Sequence, residues 1–235
     1  MKKIPKPLLK KLSEPSEKKR VLHLYSGAVS EKRMHASFTP VGWEEVRVDP
    51  FAENAPDIVG GFDVLSQFPD DCFQAIWCAH RLQLLPQDQV VPSLKACLRV
   101  LSDKGMLLFT TADLQTVSKL VWESKQPDEP LTSKGPTALQ LLYGPSSALR
   151  FQSSFTALTF GRALKNAGFY NVEVKREDLT LWGLGHKLSQ AHPNRSDRIL
   201  VVDRYAPMQP STAPGMSDEL DRPPHLWKPV GLKKA

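Results

Sequence analysis

The stretch AIWCAHRLQLLPQDQVVPSLKACLRVLSDKGMLLFTT, residues 75–111, decides the fold. It opens on the uncharged run Ala75–Ala79 and closes on a second one, Met106–Thr111. Each has the length of a strand buried on both faces. Between them Val90, Val91, Leu94, Cys97, Leu98 and Leu101 recur three and four residues apart, which marks one face of a helix over Gln87–Leu101. Asp88 is placed to cap its start, and Ser102–Gly105 turns the chain back. Strand, helix and strand in so short a span form a βαβ crossover, which requires parallel strands with helices packed on the sheet.

Other segments extend this unit on both sides. Val21–Tyr25 is a compact apolar run ending at Ser26-Gly27, and Glu45–Val48 leads into Asp49-Pro50. Thr156–Ala167 reads as a helix stopped by Gly168, a C′ glycine. Asn171–Val174 and Leu179–Leu184 read as a strand pair, and Arg198–Asp203 as either the last strand or an added edge. The expected class is α/β with a doubly wound sheet. Ligands of such sheets bind beyond the carboxyl ends of the strands, near the switch point. There the first strand ends at Tyr25-Ser26-Gly27-Ala28 and the second at Asp49, 22 residues after Gly27. That spacing suits a nucleoside, with a turn facing the charged part and an acid accepting from the ribose hydroxyls. Asp49 is equally readable as a strand-end turn residue before Pro50.

Charge locates the domain limits. The chain of 235 residues has 31 Lys+Arg and 25 Asp+Glu, a net charge of +6. Residues 1–20 hold eight bases (Lys2, Lys3, Lys6, Lys10, Lys11, Lys18, Lys19, Arg20) and two acids (Glu14, Glu17), so the remainder is neutral. Residues 1–20 are expected to form a basic arm, helical around Leu8–Leu12, that either aids solubility or touches an acidic partner or nucleic acid. Residues 206–235 contain six prolines and few core formers, and read as a tail. One domain over 21–205 is expected between them. No apolar run approaches ~18 residues, which argues against a transmembrane span. No apolar h-region follows the basic start, which argues against a secretory signal. Cys72, Cys78 and Cys97 make no CxxC pair and sit among apolar neighbours. They suit buried thiols in a reducing compartment such as the cytoplasm, and ligand-spaced Cys/His sets for a metal are absent.

Several segments resemble one enzyme family. Gln67-Phe68-Pro69-Asp70-Asp71-Cys72-Phe73-Gln74-Ala75-Ile76 is similar to the "LPFPDNSFDAI" stretch of class I S-adenosylmethionine-dependent methyltransferases. Trp77–Leu85 resembles their "SSHVLEHL" segment, Leu94–Gly105 their "LKECYRVLKPGG", and Thr111–Leu114 their "VPDL". Asp128–Leu131, Leu141–Gly144, Phe155–Phe169 and Asp178–Gly185 resemble a small bacterial subgroup of these enzymes. The resemblance spans roughly residues 20–186. It implies a mostly parallel seven-stranded sheet with an antiparallel last strand. It also implies S-adenosylmethionine as cofactor and methyl transfer to an acceptor that the sequence does not identify. Carried over by position, Ser26 and Gly27 would line the methionine part, Asp49 would hold the ribose, and Asp63 would lie nearest the adenine. Phe68 would pack near the adenine, while Ala79 and His80 would line the methionine side.

The glycine-rich turn departs from the family pattern. Leu24-Tyr25-Ser26-Gly27 stands where "LGCG" is common, so Tyr25 replaces a glycine that permits close backbone approach. Gln83 and Leu84 replace a Glu-His pair. Methyl transfer from an activated sulfonium asks for alignment and at times for a base. His80 at the end of the fourth strand, then Asp113 at the end of the fifth, are the candidates. His80 is equally readable as a helix-start residue, and Asp113 as the cap of a helix from Leu114. Substrate determinants are expected in residues 113–155, which include Trp122, Tyr143 and Arg150. Trp122 with Leu120 and Val121 is alternatively a helix core face. The competing function is a non-catalytic accessory or binding protein on the same fold. A nicotinamide oxidoreductase is disfavoured by Tyr25 in the glycine fingerprint, and a serine hydrolase by the lack of a GxSxG elbow.

Overall fold

A computed structural model describes residues 3–29, 34–131, 136–146, 149–189, 191–192 and 195–203. The elements, in chain order, are α1 (Lys6–Ser13), β1 (Lys19–Leu24), β2 (Trp43–Asp49), β3 (Ile58–Val59), β4 (Phe73–Ala79), α2 (Gln87–Val100), β5 (Leu101–Ala112), α3 (Leu114–Glu123), α4 (Ala138–Tyr143), α5 (Ala157–Ala167), β6 (Tyr170–Glu177), β7 (Thr180–His186) and β8 (Ile199–Asp203). The unit β4-α2-β5 is the crossover read from residues 75–111, with β4 parallel to β5. Pro86 rather than Asp88 occupies the N-cap of α2, and Asp88 lies in its first turn.

One sheet has the order β3-β2-β1-β4-β5-β7-β6-β8. Every neighbouring pair is parallel except those of β7, which runs antiparallel to β5 and β6. The expected count of seven strands is therefore corrected to eight. Arg198–Asp203 supplies the extra one, pairing parallel with β6 from Val172↔Ile199 to Arg176↔Asp203.

The helices whose packing is defined lie on one face. Leu22, Leu24, Ile76, Cys78, Leu107, Phe109, Val174 and Leu181 of the strands meet Leu94 and Cys97 of α2, Phe160 and Leu164 of α5, and Leu12 of α1. Gly183 lets α5 approach β7, since a Cβ there would stand 2.5 Å from the Phe160 ring. The opposite face carries Val21, Ala75, Trp77 and Leu108. It is covered by the segment ahead of β2, through Met34, His35 and Phe38, and not by a helix among the described residues. This layering differs from that of a doubly wound sheet. His35 sits 5.3 Å from Trp77 and 5.7 Å from Trp182, ring centre to ring centre. Burial among these rings lowers its pKa from 6.5 to about 4. Cys72, Cys78 and Cys97 are free buried thiols whose pKa values burial pushes up.

Residues 4–20 are part of the folded body, which corrects the reading of 1–20 as an arm. Ile4 and Leu12 are buried in the core, and β1 starts at Lys19. Arg20 is buried and closes the end of α1, where carbonyls lack helical partners. Its guanidinium donates to the carbonyls of Leu12 (2.9 Å), Lys11 (2.8 Å) and Glu14 (3.0 Å), and to Glu44 (3.4 Å). Residues 206–235 lie outside the described residues.

Two outcomes follow from this packing. Leu12→Ala should lower unfolding stability by about 2–4 kcal/mol in urea titration, as for a core leucine and not a solvated arm. The unfolded chain protonates His35 near pH 6.5 while the native chain stays neutral to about pH 4. Stability is therefore full above pH 6.5 and falls as pH drops from 6.5 to 4. His35→Phe should flatten that part of the curve of melting temperature against pH.

Candidate functional site

The sheet reverses direction at β1. The chain moves from β1 outward to β2 and β3, then returns to place β4 on the other side of β1. The crevice beyond the carboxyl ends of β1 and β4 is where such sheets take ligands. Asp49 and Ala79 end β2 and β4, Ser26 and Gly27 follow β1 closely, and His80 follows β4.

The turn after β1 is built around positive backbone angles. Tyr25 has φ 56° and Gly27 φ 67°. Only glycine adopts that region without cost, so the Tyr25 conformation carries a local penalty. The Tyr25 ring packs against Phe62 at 5.6 Å. Its hydroxyl lies so close to Gly61 that a Cβ there would stand 2.6 Å from it. Burial raises the phenol pKa far above 10, with further upward contributions from Cys78, Asp63 and Asp49, so the hydroxyl stays protonated. Ser26 donates its N–H to Val48 (3.2 Å), and its buried hydroxyl has no hydrogen-bond partner among the described residues.

Asp49 is only 3% exposed, and both its oxygens are engaged. Oδ2 accepts from the Gly27 N–H (2.8 Å). Oδ1 accepts from the Phe51 N–H (2.9 Å) and from Asn54 Nδ2 (2.8 Å). Arg47 completes the clamp by donating to the carbonyls of Gly27, Asn54 and Ala55. The turn after β1 is thus tied to the end of β2 through the Asp49 carboxylate.

His80 has φ 50°, and its N–H donates to the Thr110 carbonyl (3.0 Å) and to Thr110 Oγ1 (3.1 Å). These bonds fix the His80 backbone where the chain leaves β4 beside β5, and the residue is half-buried. Asp63 is exposed and accepts from the Gly61 N–H (2.9 Å), holding the turn at Phe62–Gln67.

Two expected positions are corrected. Phe68 is buried at the opposite, amino end of β4, edge-on to Phe73 at 5.2 Å, with its carbonyl held by Arg99. It cannot pack on a ligand in the crevice. Asp113 is completely buried and caps α3. It accepts from the Gln115 N–H (3.2 Å), the Thr116 hydroxyl (2.6 Å) and Arg176 Nε (2.6 Å). With its lone pairs so engaged it is a structural anion rather than a base. Trp122, 89% exposed, is not a core residue. Sequence reasoning missed Arg47, Asn54 and Arg176. No local signal marks Arg176, which reaches Asp113 from 63 residues away across β7.

The strand order from β3 to β6, with β7 antiparallel, is the fold of class I S-adenosylmethionine-dependent methyltransferases, and solved structures share it. The chain superposes on the CurJ carbon methyltransferase with a TM-score of 0.51 at 15% identity, over 75% of this chain and 50% of that one. For a SAM-dependent methyltransferase from Archaeoglobus fulgidus the TM-score is 0.50 at 11% identity, covering 77% and 91%. For a chain of the complex between the Haloferax volcanii Trm112 methyltransferase activator and a methyltransferase it is 0.50 at 17% identity, covering 76% and 87%. This chain thus spans half the length of the first and most of the other two. No protein-family model matches it, and no curated protein is similar to it in sequence.

The residues fit the family cofactor on one side only. The Ser26-Gly27 turn keeps a buried hydroxyl with no partner among the described residues, which leaves a polar group for the methionine part. The saturated Asp49 and the Tyr25 ring over Gly61 and Phe62 do not suit the adenosine part as placed.

The buried pair gives a direct test of the structural role of Asp113. Arg176→Ala should destabilise the fold by about 3–5 kcal/mol in chemical denaturation, because it leaves the carboxylate buried without its cation.

Proposed function

We propose that the chain is an S-adenosylmethionine-dependent methyltransferase whose cofactor crevice is closed by Tyr25. One observation carries this reading: the Ser26-Gly27 turn and Asp49 stand together at the switch point of a methyltransferase-type sheet. In this reading Ser26, Gly27, Ala79 and His80 hold the methionine part of the cofactor. Opening requires Tyr25 to rotate off Gly61 and Asp49 to exchange the Gly27 N–H for ribose hydroxyls. Asp63, exposed and bonded to the Gly61 N–H, is proposed as the remaining acid available to the adenine. When bound, the cofactor would supply an activated methyl group, and His80 is proposed to take a proton from the acceptor. Its class is left open, with residues 113–155 proposed to select it. The three buried thiols suit a reducing compartment such as the cytoplasm. No helix among the described residues is long and apolar enough to cross a membrane.

A second reading is favoured by the same clamp. If Asp49 and Tyr25 never release, the chain is a non-catalytic accessory protein on a methyltransferase fold. Partner recognition belongs to either reading. α1 presents exposed Lys6 and Lys10, which suit an acidic protein or nucleic acid. One structural neighbour is a methyltransferase solved with an activator protein. The domain is proposed to end near residue 205, with 206–235 as a tail.

Thermal unfolding with S-adenosylmethionine and S-adenosylhomocysteine separates the two readings. A ligand of the native state raises the midpoint by linkage. The enzyme reading expects a small rise in the native chain and a larger one in Tyr25→Gly, which removes both the plug and the backbone penalty. Absence of a rise in both proteins at millimolar ligand would sink it and leave the accessory reading.

A further inference from the structure

A second small site lies beyond the carboxyl ends of β4 and β5, under the 113–155 segment. It is a small, partly open pocket lined by Gln83, Thr111, Ala112, Leu114, Val117, Leu141, Leu142, Phe151, Ser153 and Ser154. About 10 Å³ of it is open to the centre of a water-sized group, enough for one. One end is polar and the rest is walled by Leu114, Val117, Leu141, Leu142 and Phe151. None of the lining residues carries a charge.

Gln83 is the hub of this end. Its carbonyl accepts the N–H groups of Gln152 (2.8 Å) and Ser153 (3.2 Å), pinning the far end of the segment to the corner after β4. Its side-chain oxygen accepts from the Thr111 hydroxyl (2.9 Å). Its side-chain nitrogen Nε2 and the hydroxyl of Ser153 are both buried, and neither has a hydrogen-bond partner among the described residues. Gln83 is 2% and Ser153 6% exposed, so bulk water does not reach either. Two buried, orphaned polar groups on one small, largely apolar pocket are costly unless a third group bridges them.

We propose that this cavity is a binding site for a single neutral hydroxyl group, held between Gln83 Nε2 and Ser153 Oγ. The oxygen accepts from Nε2, and its O–H and the Ser153 O–H share one further hydrogen bond. An anion or an ammonium would enter without a counter-charge in an apolar wall, so the site selects against both. The hydroxyl is that of one water molecule, the size of group the pocket admits. The proposal is independent of whether the crevice at Tyr25 takes a cofactor.

The sign of one stability change tests it. If the cavity is dry, Ser153→Ala deletes an unpaired buried hydroxyl and the melting temperature stays level or rises. If a hydroxyl is bridged, the same change leaves that group and Gln83 short of a partner, and the melting temperature should fall by about 2–6 °C. Gln83→Met should give a comparable fall, and the double variant less than the sum. A level or raised melting temperature in Ser153→Ala overturns the proposal. A crystal structure of the full chain provides a second readout that does not rely on the variants. An ordered oxygen within hydrogen-bond distance of both Gln83 Nε2 and Ser153 Oγ is expected, and continuous empty density there overturns it.

Discussion

Beyond Lys19, β1 is buried on both faces and has a neighbour on each side. Val21, Leu22 and Leu24 are fully buried, and the strand pairs with β2 over six residues and with β4 over four. A peptide group so placed must find its hydrogen bond within the sheet. That requirement fixes the register of β2 and β4 together, and with it the point where the strand order reverses. Everything at the carboxyl ends inherits its position from this pairing: Gly27 meets Asp49 because β1 and β2 run side by side to the same height.

The same constraint explains why the crevice is closed. β1 delivers the chain into a turn at Tyr25, whose large side chain has to go somewhere once the strand is fixed. It lies over Gly61 and against Phe62, where a smaller residue would leave space. The clamp of Asp49, Asn54 and Arg47 then satisfies the turn's own backbone. A turn that completes its own hydrogen bonds is stable without a ligand, whereas a binding turn keeps some donors and acceptors for one. The Ser26 hydroxyl is the part of this turn that stays unspent.

Charge also changed its meaning once the chain was folded. The bases of residues 1–20 are a compositional fact, but Arg20 is consumed in holding the end of α1, and Lys11 pairs with Glu44. What remains outward is the lysine face of a helix whose other side is anchored by Leu12. In the same way Asp113 is a charged residue at the right height for chemistry and is committed to Arg176 and to α3. A formal charge in a sequence states neither its burial nor its partner.

The sequence by itself determined the βαβ crossover, the parallel core and the strand that ends at Asp49. These rest on periodicity and on turn residues, both local properties of the chain. The cap by Thr156 and the stop at Gly168 of α5 are local in the same sense. The position of Phe68 at the wrong end of β4, the saturation of Asp49 and the pairing of Arg176 with Asp113 were decided only in three dimensions. Each depends on which lone pairs and which faces are still free after distant segments have packed. The same holds for the hydroxyl site at Gln83 and Ser153, which are 70 residues apart and share a cavity only because the 113–155 segment folds back over the ends of β4 and β5.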